Sequence, residues 1–251
     1  MSRLLTYGIL NQRVTALRKN LLGCWEMDET SGPTIADATG GGRDLTAINS
    51  PTFNSIGILD KSVEYNGTTQ YSRWPSSSGI GSSYFAPANV ISAAGWYYRL
   101  GDGNSIFGEV IIGRWRATNG YRSWMINIRQ SGEVIRWTYQ DSGLTVRALD
   151  YNGGSDIFTG NWMHVVCTRN GDSMKIYLNG ALVASSNLGT GVAVNSDADS
   201  STYLIVGAQS PGNTFNLYGK VDQCAVWDRE LSLTDVEDLY NAGAGRAYVS
   251  W

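Results

Sequence analysis

The chain is poor in histidine, cysteine and charge. Its 251 residues include one histidine, His164, so chemistry that needs two imidazoles is excluded. Its three cysteines cannot form a full disulfide framework. Only 16% of residues are charged, against roughly 25% in an average protein. Helical bundles lean on Lys, Glu and Arg, so this scarcity argues against one. The formal net charge is −3, which does not suggest a nucleic-acid binder. No apolar run approaches the about 18 residues of a membrane span. Leu4–Leu10 is broken by Thr6, Tyr7 and Gly8 and is followed by Asn11-Gln12-Arg13 rather than by small residues, so no signal peptide is read. P-loop and dinucleotide fingerprints are missing too, since Gly40-Gly41-Gly42 precedes no helix pattern.

What is present points to strands and turns. There are 30 glycines, nine tryptophans and 14 tyrosines, a composition of turns and half-buried strands. From about Leu21 onward, short apolar or alternating runs are closed by Gly, Asn, Asp or Ser. Val90–Arg99 is long and apolar, which predicts a central strand. Ser105–Trp115, Ser123–Arg129, Val134–Tyr139 and Trp162–Arg169 read the same way. Asn66-Gly67, Asn170-Gly171-Asp172 and Asn179-Gly180 predict hairpin turns. Met163, Val165 and Cys167 should face one way, and His164, Val166 and Thr168 the other. One helix is expected near the end, capped by Ser232 with Asp235 answering it. Its apolar stripe would be Leu233, Val236, Leu239 and Tyr240, and Gly243 would end it.

Residues 1–20 read as an arm, helical or extended, preceding one domain over 21–251. Tyr7, Leu10, Val14, Leu17 and Leu21 make a heptad seam, with Arg13, Arg18 and Lys19 off it and no acid before Glu26. Such a segment lies on its own domain, or it docks to a neighbour or a second copy.

Three segments resemble the laminin G-like branch of the concanavalin A-like lectin/glucanase jelly rolls. The first is Gly23–Gly32 with Asp37-Ala38-Thr39-Gly40. The second is Asn161–Val166 with Lys175–Gly180, similar to that family's "W-x-H-V … Y-x-N-G" hairpin. The third is Gly219–Asp222 with Trp227–Ser232. The resemblance covers about Leu21 to Gly243. It implies an all-β sandwich of two antiparallel sheets, a jelly roll, with adjacent first and last strands and a short C-terminal helix. It would place Cys24 and Cys224 on neighbouring strands, bonded or, as the missing signal peptide favours, reduced.

The same resemblance admits enzymes. Retaining glycosidases need two carboxylates about 5 Å apart. Glu26 and Asp28 share a strand face, but Thr30 or Ser31 stands where the glucanase signature has its third carboxylate. His164 matches the family's structural hairpin histidine, and no nucleophile elbow accompanies it. A non-catalytic role is therefore expected. Calcium is the cofactor the resemblance implies, with Asp37, Gly40 and Asp222 near the metal positions of some relatives; the alternative is that Asp37 caps its turn. Sugar binding would use aromatics at strand ends or in glycine-rich loops, namely Trp74, Trp115, Tyr121 and Tyr151. The expected function is a binding, adhesion or display module, on a virion surface as a phage head-decoration, fibre or appendage protein, with glycan recognition. Its arm would dock to other virion or surface proteins or self-associate. The alternative is a secreted or cell-surface lectin.

Overall fold

The computed structural model describes residues 16–74, 84–116, 122–129, 133–157, 160–188, 193, 202–209 and 214–251. Tyr121, the arm residues before Ala16, and the polar loop with Asp197 and Asp199 lie outside them.

The described residues form two antiparallel eight-stranded sheets. The first sheet is centred on β7 (Val90–Arg99), which pairs with β12 (Trp162–Asn170) and β16 (Tyr218–Trp227). β12 continues through β13 (Ser173–Leu178) to β14 (Ala181–Asn187) by two hairpins, as Asn170-Gly171 and Asn179-Gly180 predict. On the other side of β16 lie β5 (Lys61–Asn66) and the edge strand β4 (Thr52–Ile56). β1 (Leu21–Trp25) also pairs with β16, so the first and last strands are neighbours. The second sheet runs through β11 (Val146–Asn152), β10 (Val134–Gln140), β9 (Arg122–Arg129), β8 (Glu109–Trp115) and β15 (Leu204–Val206). It ends with β6 (Tyr71–Trp74), β3 (Leu45–Ile48) and β2 (Thr34–Ile35).

The core lies between the sheets. Met163, Val165 and Cys167 enter it from one sheet, and Trp124, Ile126, Ile128, Ile135, Trp137 and Tyr139 from the other. Val166 faces the opposite way, into a second apolar cluster on the outer face of the first sheet. The predicted alternation is therefore the one observed.

Three expectations are corrected, and the alternative left open for the cysteines is decided for the favoured reduced state. Asn66-Gly67 does not close a hairpin, because β5 belongs to the first sheet and β6 to the second. Asn66 Oδ1 accepts the N–H groups of Thr68, Thr69 and Gln70 at 3.0, 3.0 and 3.2 Å, so the turn carries the chain between sheets. The helix, α1 (Leu233–Tyr240), has the predicted Ser232–Asp235 capping box, but Asn241 in the left-handed conformation (φ 48°) ends it before Gly243. Its Leu233 is exposed rather than part of the buried stripe. Finally, Cys24 and Cys224 are free although their strands pair. Cys24 lies opposite Ala225, and Cys224 opposite Trp25. One residue of offset sends the two thiols to opposite faces, Cys224 into the core and Cys24 into the outer cluster.

Candidate functional site

The expected ligand aromatics do not gather. Trp74 sits in the core, edge-on to Phe85 at 5.3 Å between ring centres. Tyr151 stands opposite Ile135 and packs half-buried against the core from the inner side. Trp115 alone reaches the outer face of the second sheet, in a cluster with Val110, Met125 and Phe215.

The expected metal residues do not gather either. The Asp37 carboxylate accepts Thr39 Oγ1 at 2.6 Å and pairs with Arg43 at 3.1 Å, so it closes its own turn, with Gly40 at φ 72°. Asp222 Oδ2 accepts the N–H groups of Ile58 and Leu59 at 2.8 and 3.2 Å. Burial pushes its carboxyl up to about 8. The Asp37 carboxylate is thus occupied by a guanidinium, and that of Asp222 by two backbone amides. Among the described residues, no cluster of three His, Cys, Asp or Glu could hold a metal.

His164 packs against Trp96 and Tyr240, at 4.9 and 6.1 Å between ring centres, while those two rings stack on each other at 5.6 Å. Burial pushes its imidazole down to about 3, so it stays neutral. Glu26 and Asp28 are tied to backbone N–H groups, of Tyr248 at 2.7 Å and Lys61 at 3.0 Å.

A different site emerges on the outer face of β8–β11. Inward residues of β9 and β10 alternate with Met125, Asn127 and Arg129, and with Arg136 and Thr138, which face out. Gly113 lets β9 approach closely, since a Cβ there would lie 2.6 Å from that of Met125. The result is a groove of about 210 Å³ lined by Trp115, Met125, Asn127, Arg129, Arg136 and Thr138, with Phe107, Val146 and Phe215 at its rim. Phe107 stands in the turn before β8, is 62% exposed, and stacks on Phe215 at 6.3 Å.

Two polar groups in this groove have no hydrogen-bond partner among the described residues, Asn127 Oδ1 and Thr138 Oγ1. Both residues are 2% exposed. Leaving a buried polar atom unsatisfied costs about 1–3 kcal/mol; both atoms are closed to solvent, so a ligand hydroxyl would bond them only as the groove lining shifts aside. A larger cleft of about 350 Å³ beside Pro33, Ala47, Pro51 and Phe53 has no charged lining residue and no such orphaned side chain.

Sequence reasoning read Ser123–Arg129 and Val134–Tyr139 as strands without assigning their faces; a period of two along them is the signal that would have marked Asn127 and Thr138 as facing away from the core. It missed Phe107 because Ser105–Trp115 reads as one continuous strand, whereas Ser105–Gly108 is a turn closed by Gly108 N–H to Ser105 O at 3.1 Å.

Comparison with known proteins agrees with this architecture. No curated protein matches the chain. Among solved structures it is similar to the ligand-binding domain of botulinum neurotoxin serotype D in complex with N-acetylneuraminic acid. That match has 17% identity and a TM-score of 0.66, and covers 91% of this chain and 52% of that one. The binding domain of Paraclostridial Mosquitocidal Protein 1 matches at 16% identity and a TM-score of 0.64, covering 90% and 53%. Domain 4 of AbnA, an extracellular arabinanase of Geobacillus stearothermophilus, in complex with arabinotriose, matches at 15% and 0.60, covering 90% and 98%. The chain spans about half the length of the toxin structures it matches. At these identities the likeness is one of fold. The family model of the concanavalin A-like lectin/glucanases superfamily matches residues 66–237. With two antiparallel sheets, adjacent first and last strands and a sequence match over more than half its length, the chain belongs to the laminin G-like branch of that superfamily.

Proposed function

We propose that this chain is a non-catalytic carbohydrate-binding module and that its ligand lies in the groove on β8–β11. The observation that carries this reading is the pair of buried, unpartnered atoms Asn127 Oδ1 and Thr138 Oγ1 beside the Trp115, Phe107 and Phe215 rings. A sugar ring presents an apolar face to an aromatic wall and hydroxyls to polar atoms at its edge. The groove lining has no carboxylate, so it offers no acid and base for glycoside hydrolysis. Relatives of this fold crystallised with N-acetylneuraminic acid and arabinotriose lend the reading support.

The test is a glycan array probed with the wild-type chain and with the Asn127→Ala/Thr138→Val double variant, each with and without a chelator. Binding by the wild type, lost in the double variant and indifferent to chelator, is the expected result. Silence of the wild type on every glycan would overturn the reading.

Display on a virion surface is proposed as the setting of this module. The acid-free basic segment over residues 1–20 supports it as a docking arm. Removing residues 1–15 should then leave glycan binding intact while abolishing incorporation into the assembly.

A further inference from the structure

We infer that the groove selects glycans carrying a negative charge, a carboxylate or a sulfate, and that Arg129 is the residue that reads it. The inference rests on the groove being the glycan site and adds the chemical class of its ligand.

The two arginines that line the groove are in different states. Arg136 is held by Asp150 across β10 and β11 in a bidentate pair, with both nitrogen–oxygen distances 2.6 Å. Its charge is neutralised and its fork is occupied. Arg129 ends β9, opposite Val134. It makes no hydrogen bond or ion pair among the described residues, and no lining residue carries a carboxylate that could engage it. The Arg122 guanidinium lies 5.6 Å from the centre of the Trp115 ring. Arg129 is thus the lining guanidinium whose fork is open among the described residues.

The parts divide the labour of recognition. The aromatic rings take the apolar face of a sugar. Asn127 and Thr138 take neutral hydroxyls. A neutral sugar leaves Arg129 with water, whereas an acidic one gives it a charge-assisted, two-pronged hydrogen bond. Partial enclosure in the groove makes that pairing stronger than at an open surface.

Calorimetric titration of the full chain against matched pairs tests this. Sialyllactose is compared with lactose, and tri-galacturonate with galactotriose. The acidic member should bind about tenfold more tightly, the worth of one good charged hydrogen bond. Arg129→Met should bring that ratio close to one without weakening the neutral member, and Arg129→Lys should restore part of it. Asn127→Ala should weaken both members alike. Equal binding of acidic and neutral members by the wild type, or an unchanged ratio in Arg129→Met, overturns this inference and leaves the groove reading standing. If neither member binds, the groove reading fails and takes the inference with it.

Discussion

The outer face of the first sheet is closed by the chain itself, while the β8–β11 part of the second sheet's outer face is open. On the first, Ala94, Val166, Tyr177, Ala225 and Trp227 are covered by Leu231, Val236 and Leu239 around the C-terminal helix, by Leu17, and by Trp251. Polar links fasten these covers. Trp227 Nε1 donates to Leu17 O at 2.7 Å, and Arg229 donates to Ala16 O at 2.8 Å and Lys19 O at 2.9 Å. On the second, no helix lies over Met125, Asn127 and Thr138 among the described residues. Each strand makes two faces, and a sandwich buries one face of each sheet. What happens to the remaining two is a matter of the segments outside the strands. Among the described residues, the C-terminal helix, the chain end and the segment before β1 all cover the first sheet, and the β8–β11 face keeps a groove.

This contrast can be broken first at the closed face. Trp227→Ala removes a fully buried ring stacked on Trp251 at 5.6 Å. Denaturant unfolding should show a loss of about 3–5 kcal/mol, the range for large aromatic truncations. A loss near zero would mean that the covers are ornamental.

The next effect concerns acid. Burial pushes Asp222 up to about 8 and Asp28 up to about 6. Asp222 faces the Ile58 and Leu59 amides and feels Asp28, while Asp28 faces Lys61 N–H and feels Glu26, Asp60 and Glu29. For carboxyls raised in the folded state, stability is fully present below their ordinary range and is lost as pH rises through the folded value. Stability should therefore fall between about pH 4 and about pH 8, on the order of 1 kcal/mol per pH unit, and thermal midpoints should fall with it. Asp222→Asn should flatten the upper half of that profile. Glu230 and Asp235, lowered by Lys175 and Arg229, work in the opposite sense, and their contribution fades only in stronger acid.

At the open face the expectation separates stability from binding. Asn127→Ala/Thr138→Val removes polar atoms that the fold leaves unpaired. The double variant should unfold at the same denaturant concentration or a higher one, yet bind glycan about tenfold more weakly or worse. Equal losses of stability and binding would reduce the groove to ordinary packing.

The smallest effect returns to the closed face. Ser232→Ala deletes one half of the capping box, in which Ser232 Oγ accepts from Asp235 N–H at 3.2 Å. Its cost should be about 1 kcal/mol, and glycan affinity should not change.

Legibility followed length and periodicity. Val90–Arg99 has the boundaries its sequence predicts. The short strands Thr34–Ile35, Leu45–Ile48 and Thr52–Ile56 were not read, because so few residues seldom show a period of two against turn chemistry. The site was less legible than the fold. Trp115, expected as an aromatic at a strand end, lines the groove. Trp74 has the same local features and is a core residue. An aromatic ring is equally suited to a core and to a sugar, so its neighbours in space decide which it serves.

By itself the sequence determined an all-β sandwich, its central strands, two of its hairpins and its capped helix, since these rest on contacts between residues close in the chain. It also determined that a single histidine excludes chemistry needing two imidazoles and that three cysteines cannot make a full disulfide framework. The tertiary structure alone decided that Cys24 and Cys224 point apart and that Asn66-Gly67 joins two sheets rather than two strands of one. It alone decided that Asn127, Arg129 and Thr138 share an open groove with Trp115. Those outcomes depend on register and on which sheet a strand joins, quantities set by pairing across long stretches of chain. One residue of slip reverses every side chain, and no local pattern records it.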